Sequence, residues 1–238
     1  MAMIADTWEP EGWDYEHCKF NEELAFTNNV KFRGHNLICG DFHPEFMEEH
    51  TNSTQELAWF LKTYITHTLH EMGDYAYVWD VVKSSISDSD QLEVTNKKRP
   101  WQNYDKEGDP WHLVPDHICL AFYTARKANP TALLFYTDYH VFLKDGWQEI
   151  KSRRVFEAIK DIKKRNCGID GIGLSVSVSI EFDEFESLRA NIQRYAKLGI
   201  LVHLIDVSVR GMETEEHHLD LEFEEDNEPT IEWTPANL

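Results

Sequence analysis

The sequence predicts an α/β fold built on a parallel sheet, and three observations carry that expectation. Short apolar, β-branched runs alternate with longer stretches of helical periodicity, the pattern of βα units. The strand-like runs recur at roughly 30- to 50-residue spacing with no other internal repeat. A chain of 238 residues with 42% hydrophobic and 13% aromatic content can bury a substantial core, enough for one α/β barrel domain or two small ones.

The elements follow in order. Residues 1–5 are a short apolar run, and Trp8-Glu9-Pro10-Glu11-Gly12 is a turn. Asp14 is placed to cap a helix running to about residue 29. Residues 31–38 read as a strand with Arg33-Gly34-His35 near its middle. Over residues 51–72, Leu57, Phe60, Leu61, Tyr64, Ile65 and Leu69 fall on one helical face, and Gly73 ends that helix. Residues 75–82 form a buried strand ending in a polar turn. A long polar loop at 84–112 follows, a length that marks functional loops or family insertions. Helices are expected at 117–128 (stopped by Pro130), 146–166 and 182–197, and strands at 133–137, 169–178 and 200–209. That makes six strands.

Charge narrows the classes of partner. The net charge is −20, which excludes nucleic acid and anionic membrane surfaces as partners, and no run has the length of a membrane span. Half of that charge lies in residues 211–238, which hold ten carboxylates and no Lys or Arg. The period-two stretch Leu219-Asp220-Leu221-Glu222-Phe223-Glu224 reads as an edge strand or, preferably, as part of a solvated acidic tail. The start of the chain lacks the features of a signal peptide, so the compartment stays open, with the cytoplasm as the default reading. Cys18, Cys39, Cys119 and Cys167 lack zinc-type spacing and are expected to be buried free thiols. His67 and His70, or His217 and His218, lack the further ligands of a metal centre, so no metal or cofactor is expected.

Five segments in order resemble glycoside hydrolase family 10. Arg33-Gly34-His35-Asn36-Leu37 is similar to the family's Arg-Gly-His-Thr-Leu, and Trp79-Asp80-Val81-Val82 to its fourth strand, Trp-Asp-Val-Val-Asn-Glu. Ala128-Asn129-Pro130 with Leu134-Phe135-Tyr136-Thr137-Asp138-Tyr139 resembles Ala-Asp-Pro followed by Tyr-Tyr-Asn-Asp-Tyr. Ile169-Asp170-Gly171-Ile172-Gly173-Leu174 resembles the sixth strand. The run from Leu198 to Asp206 resembles Leu-Gly-Leu-x-Val-His-Ile-Thr-Glu, the seventh. The resemblance implies a TIM-barrel-like (β/α) fold over residues 1–210, partial at about six parallel strands because the family's first and last strands have no clear counterpart. The acidic tail would form the remainder, 211–238.

The same resemblance implies where chemistry would sit, at the C-terminal ends of the strands. Retaining glycosidases use two carboxyl groups, one as acid/base and one as nucleophile. The acid/base position is Ser84, which has no acidic proton to deliver, and the nucleophile position is Asp206, one methylene shorter than Glu. Lys83 stands where the family has a sugar-binding Asn, and would either pair with Asp206 or lie on the surface. His35, Asp138, Ser175, Ser177 and His203 complete the substrate-binding positions, though much of the family's sugar-gripping set is replaced, for example by Cys39-Gly40 and Ser175-Val176-Ser177. The expectation is a catalytically inactive xylanase-like protein with a structural or protein-binding role. Its partner would be another chain at the open sheet edges or the acidic tail. The alternatives are a divergent β-1,4-xylanase, with Asp80 or Asp138 standing in as acid, and a pseudoenzyme that binds xylan or a related glycan without cleaving it.

Overall fold

The computed structural model describes residues 13–41, 53–72, 76–87 and 110–210. The expected first strand at 1–5 and the tail at 211–238 lie outside these, as does most of the polar loop at 84–112.

Within them the chain alternates as expected. Helix α1 (Glu16–Thr27) leads to β1 (Phe32–Gly34) and β2 (Ile38–Cys39), then α2 (Thr54–Met72) and β3 (Ala76–Lys83). Helix α3 (His117–Ala128) precedes β4 (Leu133–Asp138), α4 (Glu149–Lys164) precedes β5 (Gly171–Ser179), and α5 (Phe185–Ala196) precedes β6 (Leu201–Arg210). All the pairings are parallel, in the order β1-β3-β4-β5-β6, with β2 also on β3. The result is a curled half-barrel with helices packed against it.

The strand expected at 31–38 divides in two. β1 and β2 lie on the same edge of β3, and the ladder breaks at His35 and Asn36 before Leu37 N donates to the Asp80 carbonyl at 2.8 Å. At the break the His35 side chain turns to the Asp80 carboxylate, 3.3 Å away on β3. β1 and β2 therefore fill one sheet position, so the described residues supply five positions, those of the expected strands other than 1–5.

The core lies between sheet and helices. The α2 face of Leu57, Phe60, Leu61, Tyr64, Ile65 and Leu69 is buried there, as its spacing predicts. Trp13 and Tyr15 pack against the same helix, with His67 in ring contact with both and Tyr15 Oη 3.0 Å from His67 Nδ1, so His67 is a packing residue. At the other end β6 closes nothing. Its residues are mostly exposed, with Val207 and Val209 at 61% and 63%, because no strand follows on its free side among the described residues. No helix among those residues is long and apolar enough to cross a membrane.

The cysteine expectation is corrected in part. Cys119 on α3 and Cys167 before β5 form a disulfide across 48 residues, whereas Cys39 is buried as a thiol. Folding brings α3 beside the turn that leaves α4, and there the two α-carbons stand 5.3 Å apart, within disulfide range. In the chain-entropy view, closing a loop of this length removes about 4 kcal/mol of freedom from the unfolded chain. We expect Cys119→Ser, or reductant on the native chain, to lower the unfolding free energy in urea by roughly 2–4 kcal/mol. An unchanged urea midpoint under reductant would contradict a closed disulfide.

Candidate active site

The C-terminal ends of β1 to β6 gather most of the residues singled out above. At their centre is Asp80, an acid in the otherwise apolar strand β3 and 1% exposed. Such a charge is tolerated only when paired and hydrogen-bonded. Arg33 from β1 supplies the pairing through two nitrogens: Nε donates to Oδ2 at 3.0 Å and Nη2 to Oδ1. His35 Nδ1 lies 3.3 Å from Oδ2.

Two arms extend from that carboxylate. In the first, Arg33 Nη1 reaches His203 Nδ1 on β6 at 2.8 Å, and the guanidinium also lies 4.9 Å from the Phe135 ring centre. Phe135 and His203 are themselves in ring contact at 4.4 Å. Since the guanidinium only donates, Nδ1 of His203 accepts and the ring is neutral. Burial, and then the Arg33 charge, push the His203 pKa below its ordinary value. In the second arm, Lys83 Nζ lies 3.5 Å from His35 Nε2 and 3.9 Å from Asp206 Oδ2. The pairing of Lys83 with Asp206, one of two alternatives open to the sequence, is therefore the one adopted.

Asp206 sits on an irregularity. The β5–β6 register passes from Ser175↔Ile205 to Ser177↔Ser208, so β6 carries one extra residue there. Asp206 has φ 48°, a left-handed conformation that Asp tolerates better than most residues. A bulge of this kind re-aims a side chain. Here it leaves the carboxylate 55% exposed, facing Lys83.

Ser84 is placed differently. It too has a positive φ, 54°, but it is fully buried, its amide donates to the Thr137 carbonyl at 3.0 Å, and its Oγ has no hydrogen-bond partner among the described residues. The chain after β2 seals it in. Gly40 N donates to the Lys83 carbonyl at 2.9 Å, and a β-carbon on Gly40 would stand 2.3 Å from the Ser84 carbonyl oxygen. Only glycine permits that approach. The backbone of residue 40 thus lies directly on that of residue 84.

Asp138 is not brought to this mouth. Phe135 and Thr137 face the sheet's inner side, and Asp138 faces the helices, where Lys151 Nζ lies 2.8 Å from Oδ1 and Tyr136 Oη donates to Oδ2 at 2.7 Å. Burial raises its carboxyl pKa, with Lys151 opposing that shift, and burial also raises the Tyr136 phenol. It ties α4 to β4, which departs from the substrate-binding position expected of it. Ser175 lies half-buried beside Ile205, and Ser177 is exposed, accepting from Ser208 Oγ at 3.1 Å and Arg210 Nη2 at 3.2 Å. Ser175 and Ser177 thus lie along the β5–β6 seam, outside the Asp80 network.

Sequence reasoning assigned no role to Arg33, although it holds the whole arrangement. The signal available was Asp80 itself, since a lone acid in a buried strand requires a cation, and Arg33 falls on the adjoining strand.

Comparison with known proteins gives one answer. A model of glycosyl hydrolase family 10 matches residues 3–232. Endo-1,4-beta-xylanase B of Neocallimastix patriciarum is 32% identical over 83% of this chain and 22% of its own length. Endo-1,4-beta-xylanase B of Thermotoga neapolitana is 28% identical over 86% of this chain and 55% of its own. Xylanase 10B of Thermotoga maritima superposes with a TM-score of 0.68 at 25% identity, covering 87% of this chain and 58% of that one. Xylanase 10B of Thermotoga petrophila, solved with xylobiose, gives 0.75 at 24%, covering 89% and 59%. The chain spans less than two thirds of each of these proteins, and the half-barrel is a partial TIM barrel.

The lowered pKa of His203 has a consequence in solution. An unfolded chain takes up the proton at about pH 6.5, before the folded one does. Stability conferred by the neutral ring is therefore present above that pH and is lost as pH falls through it towards the folded value. An NMR titration should find the His203 midpoint below 6.5. In Arg33→Leu the midpoint should rise, and an unmoved midpoint would contradict the contact.

Proposed function

This chain belongs to glycosyl hydrolase family 10, and we propose that it is a catalytically inactive member whose barrel serves binding rather than hydrolysis. The observation that carries the reading is the complete burial of Ser84 at the strand end where an acid would have to stand. Retaining hydrolysis needs two carboxyl groups about 5–5.5 Å apart, one of them delivering a proton to the leaving oxygen. Losing that proton costs about 10²–10⁴-fold in rate. At the matching strand end stands a hydroxyl with no exposed surface.

Neither substitute acid fits the role. Asp80 is 1% exposed and bound by Arg33 and His35, and Asp138 is tied to Lys151 on the helix side. The remaining carboxylate at the mouth, Asp206, faces an ammonium 3.9 Å away. The side chain is also one methylene short of Glu, and a misplacement of about 1 Å can cost about 10²-fold.

A second observation supports a protein-binding role. β6 presents ten residues with one unpaired edge among the described residues and with Leu204, Val207 and Val209 exposed at 45–63%. Open apolar edges pair with other chains unless covered. The partner would be another protein chain seated along β6, with the acidic segment 211–238 as an alternative contact. Sedimentation should therefore report an associated species that Val207→Lys with Val209→Lys disperses; a monomer in both cases would count against it.

The inactive reading is tested by a double reversion. Lys83→Asn with Ser84→Glu should yield no release of reducing sugar from xylan, because position 84 is fully buried and offers a glutamate no exposed surface from which to reach a sugar. Recovered hydrolysis would show that the pocket is intact and that two residues alone silence it. Hydrolysis by the native chain, abolished by Asp206→Ala, would end the reading altogether.

A further inference from the structure

We infer that residues 219–224 of this same chain seat on the open edge of β6 as an antiparallel strand and cover it until a partner displaces them. The inference rests on the reading of β6 as a docking edge and names what regulates that edge.

The sheet runs past its own mouth on this side. β4 ends on the pair Asp138↔Leu174, so beyond Leu174 strand β5 has only β6 beside it among the described residues. The two continue together through Ser177↔Ser208, Val178↔Val209 and Ser179↔Arg210. A two-stranded ribbon is marginal by itself in water, and parallel pairing is the weaker kind.

The ribbon has two unlike faces. Ile205 lies on the inner face, its Cδ1 3.0 Å from where a β-carbon on Gly173 would stand. Ser177 and Ser208 continue that face with their Oγ atoms 3.1 Å apart, and Arg210 Nη2 donates to Ser177 Oγ at 3.2 Å. Alternation sends Val207 and Val209 to the helix side. There Val178 packs against the core, while Val207 and Val209 stay exposed. The edge therefore offers an apolar stripe on one face and serines with a cation on the other.

Residues 219–224 repeat with the same period: Leu219, Leu221 and Phe223 alternate with Asp220, Glu222 and Glu224. An antiparallel register that sets Asp220 opposite Arg210 also sets Leu221 opposite Val209 and Phe223 opposite Val207. Apolar side chains then meet on the helix side, and cation meets carboxylate on the inner side. A slip of one residue would lay the acids against the valines, so the register is specified. Gly211 and residues 212–218 form the connection. So short a tether holds the segment at an effective concentration of roughly millimolar, whereas a second copy must approach against a net charge of −20. A partner strand thus competes with an occupant already attached to the edge.

Hydrogen exchange of the full chain, diluted until sedimentation shows a monomer, tests this. The amides of residues 207–210 should be protected. Leu221→Lys with Phe223→Lys should speed their exchange about tenfold or more, with α2 unchanged. The same variant should associate about tenfold more tightly than the native chain. Arg210→Glu should also lose protection, and adding Asp220→Lys should restore it. Fast exchange at 207–210 in the native monomer, or protection untouched by the lysine pair, overturns the inference. Protection that appears only in the associated species assigns the edge to a second copy, which overturns the inference and leaves the docking edge standing. Tail-dependent protection in a chain that never associates, with or without the lysine pair, supports the added strand and ends the protein-binding reading.

Discussion

The mouth of this half-barrel depends on one buried charge. Asp80 is almost fully removed from water, and an uncompensated carboxylate there would cost several kcal/mol. Arg33 and His35 supply the compensation, and in doing so they fix everything around them. Arg33 orients His203 across the sheet, while His35 draws the chain out of the ladder between β1 and β2 and accepts from Lys83. Lys83, on the same strand as Asp80 and three positions along the sheet from β6, thus lies between His35 and Asp206.

Local closure then does what the charge network alone does not. Lacking a side chain, Gly40 lets β2 run down onto the backbone of Ser84, and a small buried hydroxyl at position 84 suits that contact. A side chain at position 40 would force the two segments apart. The free edge of β6 is exposed apolar surface elsewhere on the molecule.

Much of this was legible in the sequence. The apolar periodicity of residues 57–69 and the Gly and Pro stops placed α2, α3, β4 and β6 within a few residues, because burial and backbone preference act locally. The order of motifs named the family. What stayed hidden was set by contacts distant in the chain. The Cys119–Cys167 bond joins residues 48 apart, and no spacing rule predicts it. The break at His35 needs the carboxylate of a strand more than forty residues away. Asp138 was readable in principle: with Phe135 and Thr137 facing inward, strand alternation sends position 138 outward to Lys151. Arg33 was quoted within a motif, yet its role emerges only once β1 lies beside β3.

The inactivity we propose requires that Asp206, one methylene short of Glu and facing Lys83, fail at displacement even where no proton donor is needed. An aryl xylobioside with a dinitrophenolate leaving group tests it most directly, since that group departs without protonation and removes the need for an acid. The account predicts no burst of dinitrophenolate and no covalent glycosyl adduct on Asp206 by mass spectrometry. A burst that Asp206→Ala abolishes, with an adduct on that residue, would contradict it.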